Sequence, residues 1–101
     1  MTKNLYRYEF DETASTEDIE SALLLAIWGC EALHGEAETR LDASHYLDPT
    51  KRALVVDAST PVGRDLNRLF TGFIGHELGP DAFAIEHVTD QVQLHHQETA
   101  A

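Results

Sequence analysis

One cysteine, one tryptophan, one methionine and three prolines stand in this chain of 101 residues, and seven basic side chains face eighteen acidic ones, for a formal charge of −11. The single cysteine, Cys30, excludes an internal disulfide and leaves any zinc site dependent on other ligand types. So few lysines and arginines make a poor surface for phosphate backbones or anionic lipid, so nucleic-acid binding and membrane binding are not expected. No apolar run approaches the roughly 20 residues that span a bilayer. Residues 1–10 lack the apolar stretch of a secretion signal, which predicts a cytoplasmic chain. There is no glycine-rich phosphate cradle, no Gly-x-Ser-x-Gly turn and no internal repeat.

What is present suffices for one core. With 43% hydrophobic and 8% aromatic residues, the expectation is a single α+β domain over 1–88 followed by a polar, mobile tail over 89–101. Tyr6, Tyr8 and Phe10 alternate with charged Arg7 and Glu9, the period of a half-buried strand. Ser15 or Thr16 then precedes Glu17, Asp18 and Glu20, a helix start with acids at the positive end of its dipole. Ile19, Ala22, Leu23, Ala26, Ile27, Cys30, Leu33 and Ala37 recur at steps of three and four. They predict a helix from about Thr16 to His34 that stops at Gly35.

From Thr39 to Leu47 the apolar positions alternate again, and Arg52 to Ala58 is rich in β-branched residues. The turn Asp48-Pro49-Thr50-Lys51 between them predicts an antiparallel hairpin. Ser59-Thr60-Pro61 reads as the cap of a second helix reaching Leu78, with Val62, Leu66, Leu69, Phe70 and Phe73 as its core stripe. Gly79-Pro80 ends it, and Phe83 to Val88 is the last strand. The resulting order matches the ferredoxin-like βαββαβ sandwich, a four-stranded antiparallel sheet with two helices on one face. RNA-recognition modules share that order, but here the first strand sends its aromatics inward and the charge has the wrong sign.

Two surfaces carry functional expectations. Leu24, Leu25 and Trp28 lie off the core stripe of the first helix, and Ile74 and Leu78 off that of the second. Their size predicts burial against a protein partner, most simply a second copy of the chain. An open sheet face showing Arg7, Glu9, Ser44, Tyr46, Val55 and Glu86 is a second surface for self-association. Ala22, Gly29 and Ala32 on one helix and Gly72, Gly75 and Gly79 on the other read as a close helix seam.

The loop Asp57 to Arg64 joins a strand to a helix N-terminus, where Ser59, Thr60, Arg64, Arg68 and His34 would converge on a small anion. Against it stands a simpler use of the same residues, with Ser59 or Thr60 capping the helix and Asp57 neutralising Arg64. Glu31-x-x-His34, Cys30 with His34, His76-Glu77, Glu86-His87 and His95-His96 each fall short of a complete ligand set, so neither a metal nor another cofactor is expected. No catalytic residue stands out. The sequence therefore predicts a module that works through protein contacts as a homodimer, with anion binding at the Asp57–Arg64 loop as the alternative. The acids Glu9, Asp11, Glu12, Glu17, Asp18 and Glu20 gather at the opposite end from that loop.

Overall fold

The alternation of Tyr6, Tyr8 and Phe10 sends three aromatic rings to one side of β1 (Asn4–Phe10). This strand is the centre of a computed structural model that describes residues 4–89. After β1 come α1 (Thr16–His34), α2 (Glu36–Asp42), β2 (His45–Asp48), β3 (Ala53–Asp57), α3 (Pro61–Leu78), a 3₁₀ turn (Pro80–Ala82) and β4 (Phe83–Thr89). The fold is α+β, an open four-stranded sheet in the order β2-β3-β1-β4 with three helices. Every neighbouring pair is antiparallel, with Tyr8 opposite Leu54 on one side and Ile85 on the other.

Tyr8, Phe10, Leu54 and Val56 form the sheet's contribution to the core. Ile19, Ala22, Leu23, Ala26 and Cys30 of α1 and Val62, Leu66, Phe70 and Ile74 of α3 cover them. Phe70 meets Tyr8 edge-on with ring centroids 5.0 Å apart, a geometry that suits the ring quadrupoles. Caps fix where the long helices begin. Ser15 accepts from the Asp18 N–H and Thr60 from the Gly63 N–H, each satisfying a donor that the first turn leaves free. At their ends Gly35 and Gly79 take φ of 89° and 86°, a region that glycine enters without a Cβ clash.

Three expectations need correction. The strand expected over Thr39 to Leu47 begins as a helix, and only His45–Asp48 is extended. Glu36, Ala37, Glu38 and Arg40 are good helix formers, and Arg40 pairs with Glu36 one turn earlier at 2.9 Å. The alternation of Leu41, Ala43, His45 and Leu47 is therefore not a single strand face, and Leu41 is 84% exposed. The described residues accordingly hold three α-helices rather than two.

The core stripe of α3 is rotated from the expected one: Ile74, expected on an outer flank, is wholly buried, whereas Phe73 is 37% exposed. Phe70 and Ile74 continue the four-residue step set by Val62 and Leu66, and the turn of the helix carries Phe73 away from it. The glycine seam is also different. A Cβ at Gly29 would lie 2.8 Å from Leu69 Cδ1, so Leu69 fills the space that glycine leaves, while Gly72 and Gly75 face no atom within 4 Å. The seam is one knob in one hole, and Ala32 is exposed. Residues 90–101, most of the expected tail and including His95 and His96, lie outside the described residues.

Candidate functional site

The loop between β3 and α3 is held by its own polar groups. Asp57 Oδ1 accepts from the Ser59 N–H at 2.9 Å, and Ser59 Oγ accepts from the Asn4 N–H at 2.9 Å. Ala58 donates its N–H to Asn4 O at 2.7 Å, which ties the start of β1 to the loop. Thr60 Oγ1 caps Gly63 at 2.9 Å and donates to Asp42 O at 3.2 Å, fastening the end of α2. Ser59 and Thr60 are thus spent on the fold. Asp57 bonds to the backbone and makes no ion pair with Arg64.

His34 does not join Arg64 and Arg68. Its Nε2 lies 2.7 Å from Asp65 Oδ2 and its Nδ1 3.5 Å from Glu38 Oε2. Asp65 is one position past Arg64, about 100° around the helix, so the histidine sits on a different flank of α3. Arg64 and Arg68, one turn apart, instead flank a cavity of about 250 Å³ completed by Asn4, Tyr6, Ala58 and Asn67. Neither arginine makes an ion pair among the described residues.

Asn4, Tyr6 and Asn67 were missed in the sequence. Asn67 is three positions past Arg64 and one before Arg68, so helical spacing alone could have placed it beside them. Tyr6 was correctly expected to face inward, but it ends up at the margin of the core, stacked on His87 with ring centroids 4.5 Å apart.

The surface expected to meet a partner is partly there. Leu24, Leu25 and Trp28 are 46%, 48% and 56% exposed on the outer side of α1. Ile74 is in the core and Leu78 packs against it, so neither belongs to that surface. Phe73 of α3 takes their place, sharing with Leu25, Ser21 and Ala22 a hollow of about 170 Å³ rimmed by Asp18 and Glu77. On the other side of the sheet Tyr46, Val55, Arg7 and Glu86 stand in one row across the four strands. Arg7 pairs there with Glu9 at 2.5 Å.

The remaining chemistry is sparse. Cys30 is wholly buried with its thiol 3.7 Å from Val62 O, and burial pushes its pKa up, with the nearby Asp65 charge adding to the shift. Glu31 is not the partner of His34. Among the described residues no three His, Cys, Asp or Glu side chains gather as metal ligands, and no helix is long and apolar enough to cross a membrane. Thr39 is buried, and its hydroxyl has no partner although it borders a second cavity with Ile27, Glu31, Arg40, Ala43 and His45. Partial burial lowers the pKa of His45 at that margin. Compared with known proteins, the chain matches no family model, no curated protein and no solved structure.

Proposed function

We propose that this chain is a small interaction module of ferredoxin-like arrangement that works through the outer face of α1, with a second copy of itself as partner. The strand order β2-β3-β1-β4, antiparallel throughout, and the packing of α1 and α3 on one sheet face support that arrangement. On this reading α2 is an addition to the connection between α1 and β2.

The observation that carries the function is the cluster of Leu24, Leu25 and Trp28 beside Phe73 on the helix layer. Single exposed leucines are ordinary, whereas three large apolar side chains within five positions, one of them the only tryptophan, form a contact patch. Tryptophan at the centre of a patch is the residue type that most often dominates association energy. Leu24, Leu25 and Trp28 also lie near the midpoint of α1, which spans Thr16–His34. A two-fold axis through Leu25 would set Leu25 against its own copy and pack each Trp28 across the other copy's half of α1 before Leu25, the reciprocal contact that a symmetric dimer needs.

Each copy brings a formal charge of −11, so repulsion opposes the pairing and salt relieves it. The test is sedimentation at concentrations up to about 100 µM, a range that covers contacts of micromolar strength, at low and moderate salt. The expected result is a dimer that tightens with salt and shifts Trp28 emission to the blue. Trp28→Ala should weaken it by about 30-fold, as a central anchor does. A monomer at every concentration and salt level refutes the homodimer.

A further inference from the structure

We infer that the cavity between Arg64 and Arg68 is a binding site for a small doubly charged oxyanion of the phosphate type. The site lies at the start of β1 and the first half of α3, apart from the α1 face, and stands whether or not the chain dimerises.

Charge is the first ground. In a chain with seven basic residues and eighteen acidic ones, two of the seven meet at this cavity, and among the described residues no carboxylate lines it. Arg64 and Arg68 are four positions apart, so their guanidinium groups rise from neighbouring turns on one side of α3. Two planar forks at that spacing suit an anion with several oxygens, because each fork can hold two of them. Two like charges left side by side repel each other, and an oxyanion between them relieves that repulsion.

The two asparagines are the second ground, independent of the first. The Asn67 side-chain oxygen accepts from the Tyr8 hydroxyl at 2.5 Å, and the Asn4 side-chain oxygen faces His87 Nε2 at 3.3 Å. With one lone pair of each carboxamide oxygen taken up in this way, both residues keep the whole of their NH₂ groups to donate. Among the described residues this wall therefore offers donors from two guanidiniums and two amides, beside the Tyr6 hydroxyl. A cation would meet two positive charges there with no carboxylate among the described lining residues to offset them. At about 250 Å³ the space falls below the 300 Å³ or so at which pockets begin to hold drug-sized ligands, which limits the occupant to a small anion or the anionic end of a larger one.

The probes are inorganic phosphate, sulfate and acetate, titrated separately into the full chain while amide and side-chain NH resonances are followed by NMR. Phosphate and sulfate should produce saturable shifts centred on Asn4, Arg64, Asn67 and Arg68, and acetate should bind at least tenfold more weakly. Arg64→Gln and Arg68→Gln should each weaken phosphate about tenfold, the loss expected when a charge-assisted hydrogen bond goes. Lys51→Gln removes the same charge at the far end of the sheet and should change affinity less than twofold. Both arginines are exposed, so the variants keep the fold, which their spectra report directly. Shifts that never saturate, equal loss in the Lys51 variant, or no loss in either arginine variant overturn the site. Acetate binding as tightly as phosphate overturns the assignment to a doubly charged anion.

Discussion

Replacing Tyr8 by phenylalanine removes one oxygen atom from the middle of the molecule and nothing else. Tyr8 is 0% exposed, and its hydroxyl lies 2.5 Å from Asn67 Oδ1 and 2.6 Å from Thr71 Oγ1. The ring contacts with Phe10, Phe70 and Phe83 survive in the variant. Thr71 keeps its bond to Asn67 O at 2.7 Å, so the group left without a protein partner is the Asn67 side-chain oxygen. The Tyr8 hydroxyl has one proton to give, so one donated bond goes and its acceptor is left unsatisfied, a penalty of about 1–3 kcal/mol that places the loss near 2 kcal/mol. For a domain of this size that is a fall of about 10 °C in Tm.

Urea unfolding should show the same loss with an unchanged slope, because the buried area hardly differs. Alkaline pH adds a second reading of the same atom. Burial raises the Tyr8 pKa above its ordinary 10.0, and the Thr71 hydrogen bond only partly opposes the shift. Below about pH 10 folded and unfolded chains both keep the proton, so the contribution is constant. Above it the unfolded chain releases the proton first, so stability falls as pH rises, and the Phe variant should fall less steeply. A destabilisation under 0.5 kcal/mol, about the size of an ordinary surface change, together with an unaltered alkaline limb, would refute the network.

Two further expectations concern stability. At Gly63 an added Cβ would run into the Asp57 carbonyl oxygen, which belongs to the backbone and cannot swing aside. Gly63→Ala should therefore cost about 3 kcal/mol, whereas Gly72→Ala, with open space around it, should add about 0.5–1 kcal/mol by favouring the helix; equal effects in thermal unfolding would contradict this. Thr39→Val replaces a buried hydroxyl that has no partner with a methyl of similar size and should raise stability by about 1 kcal/mol; a loss in urea titration would count against the orphaned hydroxyl.

The long elements were legible because their signals are local. Ser15, Gly35, Thr60, Pro61 and Gly79 bracket α1 and α3 at the positions the sequence marks, since caps and left-handed glycines act within one turn. The α2 segment was not legible. Seven residues from Glu36 to Asp42 carry helix-forming side chains and a two-residue apolar rhythm at once, and only Gly35 restarting the chain as a helix decides between them. Ile74 and Phe73 exchanged places because a stripe read from Leu69 and one read from Leu66 differ by a fraction of a turn. His34 went astray for another reason: its partner is chosen by the rotation of α3 against α1, a long-range fact that brings Asp65 to it rather than Arg64. The cavity itself depends on the start of β1 lying beside α3, which no spacing within either segment reveals.

Arg52 has φ of 53°, the sole left-handed residue other than glycine among those described. That conformation costs about 1–2 kcal/mol in an L-residue, and the guanidinium it carries donates to Asp11 O and Ala14 O in the turn between β1 and α1. The Arg52 carbonyl in turn accepts the Phe10 N–H at 3.0 Å. The hairpin turn and the strand-to-helix turn, 41 positions apart, are thereby clasped to each other. Neither can fray alone, so the acidic end of the molecule opens as one cooperative unit rather than as two loose loops.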